Sequence, residues 1–204
     1  MRNSDGYIGL YDIVNNVFYG NSGSGVFYCN YTWLDYIEST GTQWLDTGVA
    51  INSTLVSQLK FNMTAITGGV IYGNIDSSDA TDYRLFNASG LCYLDFPNSS
   101  RINGGSMPVW VDHEVEVGNY YVRDLKTGQN ILTGSTVSFS AQTSTLKMWR
   151  DSLGNACSSG KLYYLKIYDN NTLIRDMVPC LNNGVAGMLD KATGVFYGNS
   201  GTGT

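Results

Sequence analysis

The sequence predicts an all-β fold of two stacked antiparallel sheets, and three observations carry that prediction. Twenty-four Gly and fifteen Tyr against only three Pro, in a chain rich in Asn, Ser and Thr, describe short strands joined by tight polar turns. No window carries a sustained i, i+3, i+4, i+7 apolar stripe, the mark of an amphipathic helix. Short apolar runs, several alternating with polar residues, recur instead, separated by turn signals at close intervals. With 204 residues and a hydrophobic fraction of 43%, a single domain-sized core is expected.

The first element is a hairpin, and it occurs twice. Asp5 to Gly25 returns as Asn183 to Gly203, displaced by 178 residues, with eleven of twenty-one positions identical and an unbroken match of Val17 to Gly23 with Val195 to Gly201. Each copy reads as two short strands around a turn: Ile8, Leu10 and then Val17, Phe18 flank Asp12 to Asn16, while Leu189 and then Val195, Phe196 flank Asp190 to Gly194. A period of that length is too long for a solenoid and right for a whole domain. The expected organisation is a tandem array, with residues 1–32 the closing hairpin of a preceding module or a linker and residues 33–204 the next module. Met1 would then be an internal or engineered start, and the polar run after it has no apolar core of a secretory signal. One module has one slot for such a hairpin, so the N-terminal copy is expected to pack elsewhere, to mediate a homo-oligomer, or to be loosely ordered.

Within the module, Tyr36 to Gly48 places a Ser-Thr-Gly turn before a strand around Trp44 to Val49. Leu55 to Met63 alternates, with Gln58, Lys60 and Asn62 on the wet face. Further strands are expected at 70–72, 83–86, 91–96, 109–117, 120–125, 136–139 and 146–149. The last pair, 161–168 and 173–178, is joined by the turn Asp169 to Thr172.

Three of these segments together carry a family resemblance: Tyr36-Ile-Glu-Ser-Thr-Gly-Thr-Gln-Trp-Leu-Asp-Thr-Gly48, then Gly160 to Asp169 with Leu173-Ile-Arg-Asp-Met-Val-Pro-Cys180, and the closing Gly194-Val-Phe-Tyr-Gly-Asn-Ser-Gly201. Residues 33–204 resemble, nearly throughout, the LamG-like (concanavalin A-like) jelly-roll domains of tail and other structural proteins of phages and prophages of gut bacteria. The resemblance implies a lectin-like, two-sheet jelly-roll sandwich used for display, adhesion or sugar binding. It also implies a place on a virion or extracellular surface, with bacterial surface glycan or virion proteins as partners. Fold kinship does not itself establish function.

Charge narrows the partners. Lys and Arg total 12 against 17 Asp and Glu, a net −5 that offers no counterion-release drive toward nucleic acid. No basic amphipathic stretch and no apolar run of about eighteen residues argues for membrane insertion. Cys29, Cys92, Cys157 and Cys180 form no CxxC spacing and read as thiols outside any disulfide or zinc site.

Candidate chemistry is sparse. Asp112, Glu114 and Glu116 fall at i, i+2, i+4 on one strand face, the spacing of retaining β-glucanases of this sandwich class. The opposite parity, Val109, Val111, His113, Val115 and Val117, reads as the core, so a solvated polar face is the preferred reading and no catalysis is expected. His113 is the only histidine and shares the core parity, which disfavours a triad and excludes a two-histidine metal site. The loop carrying Asp76, Asp79 and Asp82 offers hard oxygen ligands for Ca²⁺, although such loops are more often polar turns. For a sugar ligand, Tyr72, Tyr83 and Trp149 lie beside polar loops and are the expected exposed platforms, with Trp44 and Trp110 in the core.

Overall fold

Strict alternation makes the central strand. Along Leu55–Met63 (β6) odd positions are buried and even positions half-buried, so Leu59, Phe61 and Met63 enter the core while Gln58, Lys60 and Asn62 line the outer face. The computed structural model describes residues 10–12, 17–19, 31–65, 69–75, 82–97, 100–151 and 158–203. Around β6 it builds Leu10–Asp12 (β1), Val17–Tyr19 (β2), Tyr31–Trp33 (β3), Ile37–Thr40 (β4), Leu45–Ala50 (β5), Val70–Asn74 (β7), Tyr83–Ala88 (β8) and Leu91–Phe96 (β9). There follow Ser100–Ser106 (β10), Asp112–Val117 (β11), Tyr121–Asp124 (β12), Asn130–Thr133 (β13), Thr145–Met148 (β14), Ser159–Asp169 (β15), Thr172–Asn182 (β16), Val185–Asp190 (β17) and Phe196–Gly198 (β18).

Every pairing among the described strands is antiparallel. One sheet runs β10-β9-β8-β7-β14-β5, and the other runs β13-β12-β11-β6-β15-β16-β17-β18, with β4 also on β15 and β3 also on β16. The two sheets pack face to face as a jelly-roll sandwich, with no helix among the described residues. Leu59, Phe61, Val115, Leu165 and Ile167 from the larger sheet meet Tyr72, Leu85, Leu94, Leu146 and Met148 from the smaller. Each such burial is worth roughly 1.5–3 kcal/mol, which sets the order of the driving force. Cys92 and Cys180 are buried thiols, outside any disulfide.

The hairpin expected near the N-terminus is present as β1 and β2, which pair with each other and with no other described strand. Other expectations need correction. The strand expected at 109–117 begins only at Asp112, because the backbone turns at Trp110 (φ 64°) and its N–H bonds the Met63 carbonyl at 2.8 Å. Val109 still packs against the core, but alternation breaks at Val111, which is exposed, and Trp110, expected in the core, is 70% exposed. Residues 136–139 are not a strand. There the Asn119 amide stands in for a neighbouring backbone, donating to the Val137 carbonyl at 2.6 Å and accepting its N–H at 3.3 Å. Strands β10 and β13 were not expected. β10 is polar, Gly-rich and mostly exposed, as an edge strand permits, while β13 is only four residues long, with Leu132 buried and Ile131 against the core. Gly105 on β10 leaves room for Ile131, which a Cβ there would strike.

Candidate functional site

The three aromatic residues expected at the surface lie in the core. Tyr72 is fully buried and its hydroxyl bonds that of Ser57 at 2.6 Å; burial pushes its phenol well above the ordinary range. Tyr83 packs edge-on against Phe96 with ring centroids 5.8 Å apart. Trp149 is 3% exposed and packs against Phe61 at 6.2 Å. Lying next to a polar loop did not turn these rings outward, because sheet parity and, at Trp149, the backbone turn point them inward.

Asp76 and Asp79 lie outside the described residues. Asp82 is buried, with Oδ1 3.2 Å from Arg84 Nε, and the same Nε donates to Asp95 Oδ2 at 3.1 Å. Arg101 binds the other side of Asp95. Burial pushes the Asp82 carboxyl up to about 7, with Arg84 opposing and Asp95 reinforcing the rise. Among the described residues no group of three His, Cys, Asp or Glu is arranged to hold a metal ion.

The β11 carboxylates line the outer face of the larger sheet, opposite Asn62, Lys60 and Gln58 in register. Asp112 accepts Asn62 Nδ2 and the Tyr163 hydroxyl, each at 2.9 Å, with Lys60 Nζ at 3.3 Å. Glu114 accepts the Tyr164 hydroxyl at 2.8 Å, and Glu116 takes Gln58, Tyr121 and Arg123. The Asn62 bond, against some burial and aided by Tyr163 and Lys60, holds Asp112 below the ordinary carboxylate range. Burial alone would raise Glu116, yet Gln58, Tyr121 and Arg123 reverse that and lower it. A general acid needs a raised carboxyl, the opposite environment. His113 follows the expected parity, buried beside Phe61 with Nε2 2.8 Å from the Pro108 carbonyl.

A cleft of about 570 Å³ opens among Ile37 to Ser39 on β4, Gln43 to Leu45, Trp149, the β16–β17 turn and the closing segment from Gly198 to Gly203. The closing segment is bonded onto its rim: Asn199 Oδ1 accepts Trp44 N–H at 3.2 Å and Ser200 N–H reaches the Trp44 carbonyl at 2.9 Å. Trp44 is half-buried, with Lys147 and Arg150 over its ring at 5.3 and 5.4 Å. Trp149 forms the deep wall. Its backbone sits in the left-handed region (φ 70°), a strained conformation for a bulky residue, held by Trp149 N–H to Ile71 O and Ser158 N–H to Trp149 O. Gly160 makes room for the indole, since a Cβ there would lie 2.9 Å from Trp149 Cη2. The indole N–H groups of Trp44 and Trp149 are both buried and have no acceptor among the described residues. Both donors are closed off from solvent, so they are unsatisfied polar groups within residues of the cleft wall rather than groups exposed to its interior.

Sequence reading missed this cleft by assigning Trp44 wholly to the core and Trp149 to the surface. The signal that pointed to it was the grouping of Tyr36 to Gly48 with the closing repeat, which the fold brings together as two of its walls. Fold and cleft define the class, a jelly-roll β-sandwich module with a cavity at its closing segment. Compared with protein-family models, curated proteins and solved structures, the chain shows no significant match.

Proposed function

We propose that the chain is a non-catalytic binding module whose cleft takes a neutral polyhydroxyl ligand, a bacterial surface glycan, on a phage particle or another extracellular surface. Trp149 carries this reading. It is a buried, strained residue on a cleft wall with an unpaired indole donor, and strain of this kind persists at ligand sites where the surrounding structure enforces it. Sugar hydroxyls would accept from these donors once a local shift of the wall opens them, while the C–H faces of the ring pack on aromatic walls. The non-catalytic reading is supported by the carboxylates of β11, which are tied to cations, amides and phenols.

The test is a glycan array of the purified chain, with and without Ca²⁺, followed by fluorescence titration of any hit. Trp44→Phe and Trp149→Phe keep an aromatic ring and remove the donor. Binding weakened about tenfold or more in either variant, and unchanged in Trp110→Ala, is the expected result, since a lost bond to a buried donor is worth about 1–3 kcal/mol. Silence across the array from a folded protein would transfer the assignment to a purely structural display role. The repeated hairpin favours that second reading, because a duplicated closing element serves assembly.

A further inference from the structure

The two copies of the repeated segment form the same hairpin. In the closing copy Met188 pairs with Tyr197 and Leu189 with Phe196. In the N-terminal copy Leu10 pairs with Tyr19 and Tyr11 with Phe18, positions displaced by the same 178 residues. The closing copy is seated, with β17 running along β16 from the pair Met177–Asp190 to Asn182–Val185. The N-terminal copy pairs with no other described strand.

What the copies share exceeds what a hairpin needs. A hairpin depends on its turn, yet the turns differ, Ile13-Val-Asn-Asn16 against Lys191-Ala-Thr-Gly194. Identity is kept where the closing copy grips the rest of the module. Asp190, repeated as Asp12, is fully buried; its carboxylate accepts the Asp176 N–H on β16 at 2.8 Å besides bonding Ala192 and Thr193 in its own turn. Asn199, repeated as Asn21, holds Trp44 N–H. Gly201, repeated as Gly23, packs so closely that a Cβ would strike the Thr42 carbonyl. An unseated hairpin has no use for the last two identities.

We propose that the N-terminal hairpin is a second closing hairpin, and that its partner is the β16 edge of another module of this fold whose own slot is open. The partner supplies the backbone N–H at the position of Asp176 and the edge formed by Thr42 and Trp44. This inference is independent of the ligand reading, since it concerns the hairpin's seat and no bound sugar.

A chain ending at Asn182 carries an open slot and a spare hairpin. It is expected to assemble head to tail, seen as a ladder of oligomers in native mass spectrometry, and to lose that ladder when Asp12→Ala and Asn21→Ala are added. Because the shortened chain has lost two strands, a full-length chain in which residues 183–203 are replaced by the sequence of residues 5–25 tests the fit separately. It is expected to melt within about 5 °C of the parent, a change of roughly 1–2 kcal/mol for a domain of this size. A shortened chain that stays monomeric, or that associates equally with both substitutions in place, overturns the proposed partner. A transplant no more stable than one carrying a scrambled segment overturns the fit.

Discussion

The hydroxyls of Tyr72 on β7 and Ser57 on β6 lie 2.6 Å apart and join the two sheets through the core. Tyr72→Phe keeps the packing and leaves Ser57 without this buried partner, at a cost of about 1–3 kcal/mol. Thermal unfolding should show the midpoint falling by several degrees. Adding Ser57→Ala should restore part of that loss, because both halves of the bond are then removed.

Glu116 answers to pH in the direction usual for a bonded carboxylate. Its folded value lies below the unfolded one, so its contribution is present above about pH 4.3 and is lost as pH falls through the folded value. Glu116→Gln should lower the urea midpoint at pH 7, and the gap to the parent should narrow as the pH falls below about 4.3. A gap that persists undiminished at pH 3 would assign the loss to packing.

Asp82 runs the other way. Its carboxyl is raised to about 7, so between roughly pH 3.9, the unfolded value, and about 7 the folded chain holds a proton that the unfolded chain releases. Stability from this group is greatest below the lower value, falls through that window and levels off above it. Asp82→Asn should flatten this slope, giving a higher melting temperature relative to the parent at pH 8 than at pH 4. Equal slopes in the two proteins would contradict the assignment.

Gly201 tests the seat of the closing segment. A methyl group there meets the Thr42 carbonyl and lies 2.7 Å from Trp44 Cδ1. Gly201→Ala should cost about 1–3 kcal/mol through overpacking. Hydrogen exchange should show faster exchange at Ser200 and Thr202, whose amides bond the Trp44 and Thr42 carbonyls, while β6 and β15 remain protected.

Much of the fold was legible where alternation is strict. Leu55 to Met63, and the stretch from His113 onward, reveal their buried faces because successive strand residues point to opposite sides and only one side of each is apolar. Legibility ended at the turns. Trp110 and Trp149 both adopt positive φ, a choice that reverses which way a ring points and that no alternation pattern records. The edge strands β10 and β13 were hidden for another reason: β10 is mostly exposed and buries little apolar surface, and β13, with Ile131 and Leu132 adjacent in four residues, is too short to show a period.

By itself the sequence determined the all-β class, the polarity of the central strands and the repetition of the closing hairpin, since each is a matter of local pattern or identity. Only the tertiary structure decided that Tyr72, Tyr83 and Trp149 are core residues and that Trp44 and Trp149 share a cleft. It also showed that Asn199 and Gly201 grip a loop some 155 residues away in the chain. These are relations between segments remote in sequence, set by which strands pair and which faces close on one another, and the packing energy that selects them depends on both partners at once.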